Sequence, residues 1–145
     1  MVIRTACPEW VTEDWTWTDP TEWEDGFLEG LFYTSSRIVT VYIAGPYTNG
    51  HTESNVEDAI AAADPLFDLG YIPFVPHLSH FWDEYYPRSY EQWMQWCCVW
   101  LSKCDAVLRL PGESKGADDE VALAAEFGIP VYYSIEELWE ATRVR

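Results

Sequence analysis

The sequence predicts an α/β protein, a three-layer fold with a mostly parallel sheet of four to five strands covered by helices on both sides. Three observations predict it. From Arg37 onward, strand and helix signals alternate. The strand runs are β-branched or apolar throughout, as strands covered on both faces must be. The chain has 145 residues, 48% hydrophobic and 23% charged, which suits one ordinary domain with a real core and is too short for two comfortable ones.

Ile38–Ala44 reads as the first strand, ended by Gly45-Pro46. A loop leads to Ser54, which stands three residues before Glu57 in capping-box spacing. Val56, Ile60, Ala63 and Phe67 then mark one face of a helix. Pro65 should kink or restart that helix, and Gly70 should close it. Tyr71–Val75 is a second strand, placed at a sheet edge by Pro73. Pro76–Arg88 reads as a long aromatic loop. Ser89 and Gln92 repeat the capping-box spacing, opening a helix whose buried stripe is Trp93, Cys97, Trp100, Leu101 and Cys104. Asp105–Leu110 is a third strand, ended by Pro111-Gly112, and a polar loop leads to a helix from about Ala117 to Phe127, closed by Gly128. Ile129–Tyr133 is a fourth strand, and Ser134 with Glu137 caps a last helix that turns Leu138 inward. Right-handed crossovers put the sheet between helices, and the order of the strands should reverse between the loops after Ala44 and after Leu110, where ligands of such sheets bind.

Residues 1–35 differ from the 36–145 domain. They hold Trp10, Trp15, Trp17 and Trp23 among eight carboxylates, with no Lys or Arg between Arg4 and Arg37. This acidic, tryptophan-rich arm reads either as a segment laid on the domain surface or as a partner contact.

Eight Lys plus Arg against 25 Asp plus Glu leaves a net charge of −17, so a nucleic-acid polymer and an anionic membrane surface are disfavoured partners. A small anion is not, because backbone N–H groups and one or two cations suffice to hold it. No apolar run reaches the roughly 20 residues of a membrane span, and the N-terminus has no signal-like apolar segment. Cys7, Cys97, Cys98 and Cys104 have neither a disulfide-framework pattern nor converging metal spacing. They are read as buried thiols in a cytoplasmic protein, with no metal and no cofactor implied.

The residues with chemistry gather in two segments. In Gly112-Glu113-Ser114-Lys115-Gly116-Ala117-Asp118-Asp119-Glu120, a glycine loop opens a helix and Glu120 lies in or near its first turn. There the helix dipole favours an ionised carboxylate, suited to a nucleophile, although the same three acids also simply complement the dipole. The other segment is Tyr42-Ile43-Ala44-Gly45-Pro46-Tyr47, with Asn55 at the next helix start.

Together these motifs resemble the nucleoside 2-deoxyribosyltransferase-like superfamily, including its small members and its 2′-deoxynucleoside 5′-phosphate N-hydrolases, over about residues 38–134. The resemblance implies a flavodoxin- or Rossmann-like core, and cleavage of an N-glycosidic bond, by hydrolysis or base transfer, in a small nucleoside or nucleoside 5′-monophosphate. Glu120 would be the nucleophile. Tyr42, Gly45, Pro46, Tyr47, Asn55 and Asp118 would belong to the substrate site, and Ser114, with Lys115 and Gly116, would meet a 5′-phosphate. It also implies a homodimer or larger even oligomer, which nine tryptophans in so small a chain favour too. One position departs. Where the superfamily usually carries an aspartate that positions the sugar or protonates the base, this chain has Cys97. His77, His80 and Asp83 are the available substitutes, a histidine being suited to proton donation near neutral pH, though His77 reads equally as a loop residue satisfied by backbone. Cys97 also makes a non-catalytic nucleotide-binding protein the alternative.

Overall fold

The computed structural model describes residues 38–143. The arm predicted for residues 1–35, its tryptophans and Cys7 lie outside the described residues. The domain begins with β1 (Thr40–Ala44), α1 (Thr52–Asp68) and β2 (Ile72–Phe74), followed by a 3₁₀ turn (Pro76–Leu78), α2 (Ser79–Tyr85) and α3 (Tyr90–Leu101). It continues through β3 (Ala106–Arg109), α4 (Lys115–Glu126), β4 (Val131–Tyr132) and α5 (Ile135–Thr142).

The four strands run parallel in the order β2-β1-β3-β4, with Val41 opposite Pro73 on one side and Ala106 on the other. The period-2 alternation of β1 and β3 divides the core into two layers. Val41, Ile43, Ala106 and Leu108 meet Ala59, Ala63 and Leu66 of α1 and Leu138 of α5. On the other face, Tyr42, Ala44 and Val107 meet Cys97 and Leu101 of α3 and Ala117 and Ala124 of α4. The sheet is thus covered on both sides, as the expected three-layer α/β fold requires. β2 is an edge strand because Pro73 has no N–H to give a further neighbour. No helix among the described residues is long and apolar enough to cross a membrane.

Several local expectations are corrected. The segment Pro76–Arg88 is not a loop: it holds the 3₁₀ turn and α2, whose aromatic residues carry no helical stop signal. Helix α1 starts before Ser54, at Thr52 with His51 as its cap residue, so the Ser54/Glu57 pair caps nothing. It also runs uninterrupted through Pro65. Its buried stripe is Val56, Ala59, Ala63 and Leu66; Phe67 is 60% exposed and Ile60 is exposed too. Helix α3 buries Cys97 and Leu101, whereas Trp100 is 46% exposed and stacks on Phe74, with ring centroids 5.5 Å apart. Cys104 lies beyond the end of α3. Ser89 with Gln92 does form the predicted capping box, and Ser134 accepts from the Glu137 N–H as expected. Gly70 closes α1 in a left-handed conformation: its N–H bonds Phe67 and the Tyr71 N–H bonds Leu66.

Candidate active site

β1 and β3 are neighbours whose chains leave the sheet in opposite directions, α1 to one face and α4 to the other. Their carboxyl ends therefore form the switch point of the sheet. Two small residues let the loops there approach. A Cβ on Gly45 would lie 3.1 Å from the Leu110 side chain, and one on Gly112 would lie 2.8 Å from Pro46, with φ at +110° besides. The loops are tied together by Asn49, whose Nδ2 donates to the Glu113 carbonyl at 2.8 Å. Asn55 braces the first loop from α1, donating to the carbonyls of Tyr47 at 2.7 Å and Asn49 at 2.9 Å. Arg109, buried at the end of β3, braces the second: its guanidinium donates to the carbonyls of Leu110 and Gly112 and to Asp118.

Between the loops opens a cleft of about 560 Å³, within the range of small-molecule sites. Of the residues singled out from the sequence, Gly45, Tyr47, His77, Cys97, Ser114, Lys115, Gly116 and Glu120 line it. Pro46, Asn55, His80, Asp83 and Asp118 do not, and neither does Tyr42. Tyr42 is wholly buried behind the cleft and donates a 2.7 Å hydrogen bond to Oε1 of Glu120.

Glu120 is the buried carboxylate of this cleft, 8% exposed. The sequence put Glu120 in or near the first turn; with Ser114 as N-cap and α4 starting at Lys115, it falls in the second turn, beyond the reach of most of the dipole effect. Burial dominates instead and pushes its carboxyl up to about 7, against the opposing pull of the Tyr42 hydroxyl and the Arg109 charge. Cys97 faces the same group. Burial holds its thiol protonated by raising its pKa to about 12, while a hydrogen bond with Tyr42 pulls the other way. The Tyr42 hydroxyl is raised strongly, first by burial and then by Glu120, so it stays a donor.

The substitutes expected for the missing aspartate have other partners. His77, 4% exposed, places Nε2 3.0 Å from the Pro46 carbonyl and 3.3 Å from the Gly45 carbonyl. Both partners only accept, so Nε2 carries the proton. Burial lowers the His77 pKa against those two carbonyls and keeps the ring neutral, which is unfavourable to the proton-donor role. His80 shares a 3.2 Å hydrogen bond with the Tyr47 hydroxyl and lies 3.5 Å from Glu84. Asp83 accepts from the Trp93 indole at 2.6 Å and from the Arg88 N–H at 2.8 Å, which together hold its carboxyl below the usual range. Ser114 Oγ caps α4 by accepting from the Ala117 N–H, and Lys115 pairs with Asp119 at 2.6 Å. Sequence reasoning missed Asn49, Trp93 and Met94 as cleft residues and Arg109 as its brace. For Arg109 the signal was present: a cation between two leucines at the end of an apolar strand. Among the described residues, no group of three or more metal-ligating side chains is assembled.

The chain belongs to the family described as a domain of unknown function, DUF7768, which matches residues 39–134. No curated protein matches its sequence. Among solved structures it is similar to a 2-deoxyribosyltransferase from the psychrotolerant bacterium Bacillus psychrosaccharolyticus. The identity is 22% over 63% of this chain and 69% of that chain, with a TM-score of 0.43.

Proposed function

We propose that this chain cleaves the N-glycosidic bond of a small nucleoside or nucleoside 5′-monophosphate, with Glu120 as nucleophile. The observation that carries the reading is the buried Glu120 carboxylate on the wall of the switch-point cleft, held by the Tyr42 hydroxyl at 2.7 Å. Glu120 is the glutamate that the sequence resemblance implies as the nucleophile. In the ionised form an Oε attacks C1′ of the sugar. The C1′–N bond breaks, its electron pair leaves on the base, and the base nitrogen takes a proton from water. Water, or the nitrogen of a second base, then attacks C1′, gives up its proton to solvent and displaces the carboxylate, which leaves Glu120 ionised again. The Tyr42 hydrogen bond fixes which carboxylate oxygen is engaged and orients the other. Trp93 and Met94, on α3, add apolar side chains suited to a nucleobase to the lining of the cleft. Ser114 and Gly116, at the start of α4, offer the hydroxyl and N–H groups that a 5′-phosphate would need.

One observation favours a second reading, nucleotide binding without turnover: Cys97, protonated beside Glu120, is a poor proton donor to a leaving base. Incubation with nucleosides and nucleoside monophosphates, followed by chromatography for free base, tests the first reading. Ligand-dependent thermal stabilisation without release of base would favour the second. The proposed assembly is a homodimer or larger even oligomer, which sedimentation as a monomer at micromolar concentration would overturn.

A further inference from the structure

We infer that His77 is a hydrogen-bond acceptor for the ligand of this cleft, receiving a sugar hydroxyl on Nδ1 rather than supplying a proton. The inference deepens the glycosidic reading and rests on it.

His77 is fixed on one side only. Nε2 is committed to the carbonyls of Gly45 and Pro46, which can only accept, so the ring is held as the Nε2–H tautomer and Nδ1 keeps its lone pair. Nδ1 is the one buried side-chain polar atom among the described residues without a hydrogen-bond partner, and its residue lines the cleft. Folded proteins satisfy such atoms almost without exception, with a protein group, an ordered water or a ligand, and the place of His77 in the lining of a ligand-sized cleft makes the ligand the donor assigned here. Burial keeps the ring neutral, which preserves the lone pair near neutral pH.

The chemistry of the cleft selects a sugar hydroxyl as that donor. His77 is bonded to the turn that ends β1, the strand whose Tyr42 holds Glu120, and the proposed reaction seats the sugar carbon on Glu120. The apolar side chains suited to the base, Trp93 and Met94, come from α3 instead.

The test uses full-length protein with ¹⁵N-labelled histidine; the chain has three histidines, so His77 is assignable with one variant. At pH 7 the free protein should show His77 protonated on Nε2 and unprotonated on Nδ1. Glu120→Gln protein, which should bind without cleaving, is then titrated with the common nucleosides, their 2′-deoxy forms and their 5′-monophosphates. The tightest binder should shift Nδ1 in the direction of an accepted hydrogen bond. An analogue of that binder lacking the partner hydroxyl should not. His77→Gln, which keeps a donor near the Nε2 position, should weaken the intact ligand by about 3- to 10-fold and leave the deoxy analogue unchanged. His77→Asn, which keeps an acceptor near the Nδ1 position, should weaken it less. A proton on Nδ1, an imidazolium at pH 7, or a bound nucleoside that leaves Nδ1 unmoved overturns the inference, while cleavage by the wild type leaves the glycosidic reading standing. If the wild type neither binds nor cleaves any member of the panel, that reading falls and this inference falls with it.

Discussion

Tyr42 and Glu120, separated by 78 residues of chain, meet in a 2.7 Å hydrogen bond behind the wall of the switch-point cleft. The strand buries the phenol, the helix carries the carboxylate, and the parallel pairing of β1 with β3 brings both to the same end of the sheet. A buried acid with a single fixed donor is a poised group: burial raises its pKa to about 7, and the donor restrains the rise.

Glu120→Gln should keep the size and the Tyr42 hydrogen bond but lose the anion. Turnover of any confirmed substrate should fall by several orders of magnitude while ligand binding persists, since an amide cannot form the glycosyl-enzyme. Asp119→Asn, on the exposed face and paired with Lys115, should change turnover far less. Wild-type cleavage by Glu120→Gln, read as release of free base, would remove Glu120 from the mechanism.

The same carboxyl sets two pH dependences of opposite sense. Turnover should rise with pH through about 7, because only the ionised form attacks. Stability should move the other way. The folded state holds this proton more tightly than the unfolded chain, whose ordinary value is 4.5, so the contribution of Glu120 is lost as pH rises from 4.5 through about 7. The full span is worth about 3 kcal/mol. Urea denaturation across this range should show Glu120→Gln gaining on the wild type as pH rises. A constant difference between the two would mean that Glu120 titrates normally.

Tyr42→Phe should remove the donor that favours the ionised Glu120. The rise of turnover with pH should shift to higher pH, so that loss of rate is greatest near neutrality and partly recovered above it. Stability should fall by roughly 1 kcal/mol for the buried bond. An unshifted pH profile would assign Tyr42 to packing alone.

Cys97→Asp should place a carboxyl where the sequence resemblance expects one. Turnover should increase, and the pH profile should broaden and move upward, because two carboxyls sharing a site do not ionise together easily. Unchanged or lower release of base in the folded variant would show that this position does not limit the reaction.

Gly112→Ala should destabilise by roughly 1–3 kcal/mol. The added Cβ meets Pro46 at 2.8 Å, and the φ of +110° is strained for any side chain. Ligand affinity should fall with it, because the contact sets the spacing of the two cleft loops. Chemical denaturation beside a binding titration separates the two effects.

The sequence by itself determined the layer architecture, the reversal of strand order at β1 and the end of the sheet that carries the cleft; the place of β4 beside β3 came from the structure. The first three follow from local signals: β-branched runs too apolar to face water, glycines at helix ends, and turn residues after each strand. The motif around Glu120 was legible for the same reason, since its residues are close together in the chain. Tertiary structure decided what each side chain does. The sequence could place His77, His80 and Asp83 near one another, but not show that each is already bonded to the Gly45–Pro46 carbonyls, to Tyr47, or to Trp93. It read Glu120 through the helix dipole, a local effect. Its protonation is governed by desolvation and by a tyrosine 78 residues away, and both exist only once the sheet has closed under the helix.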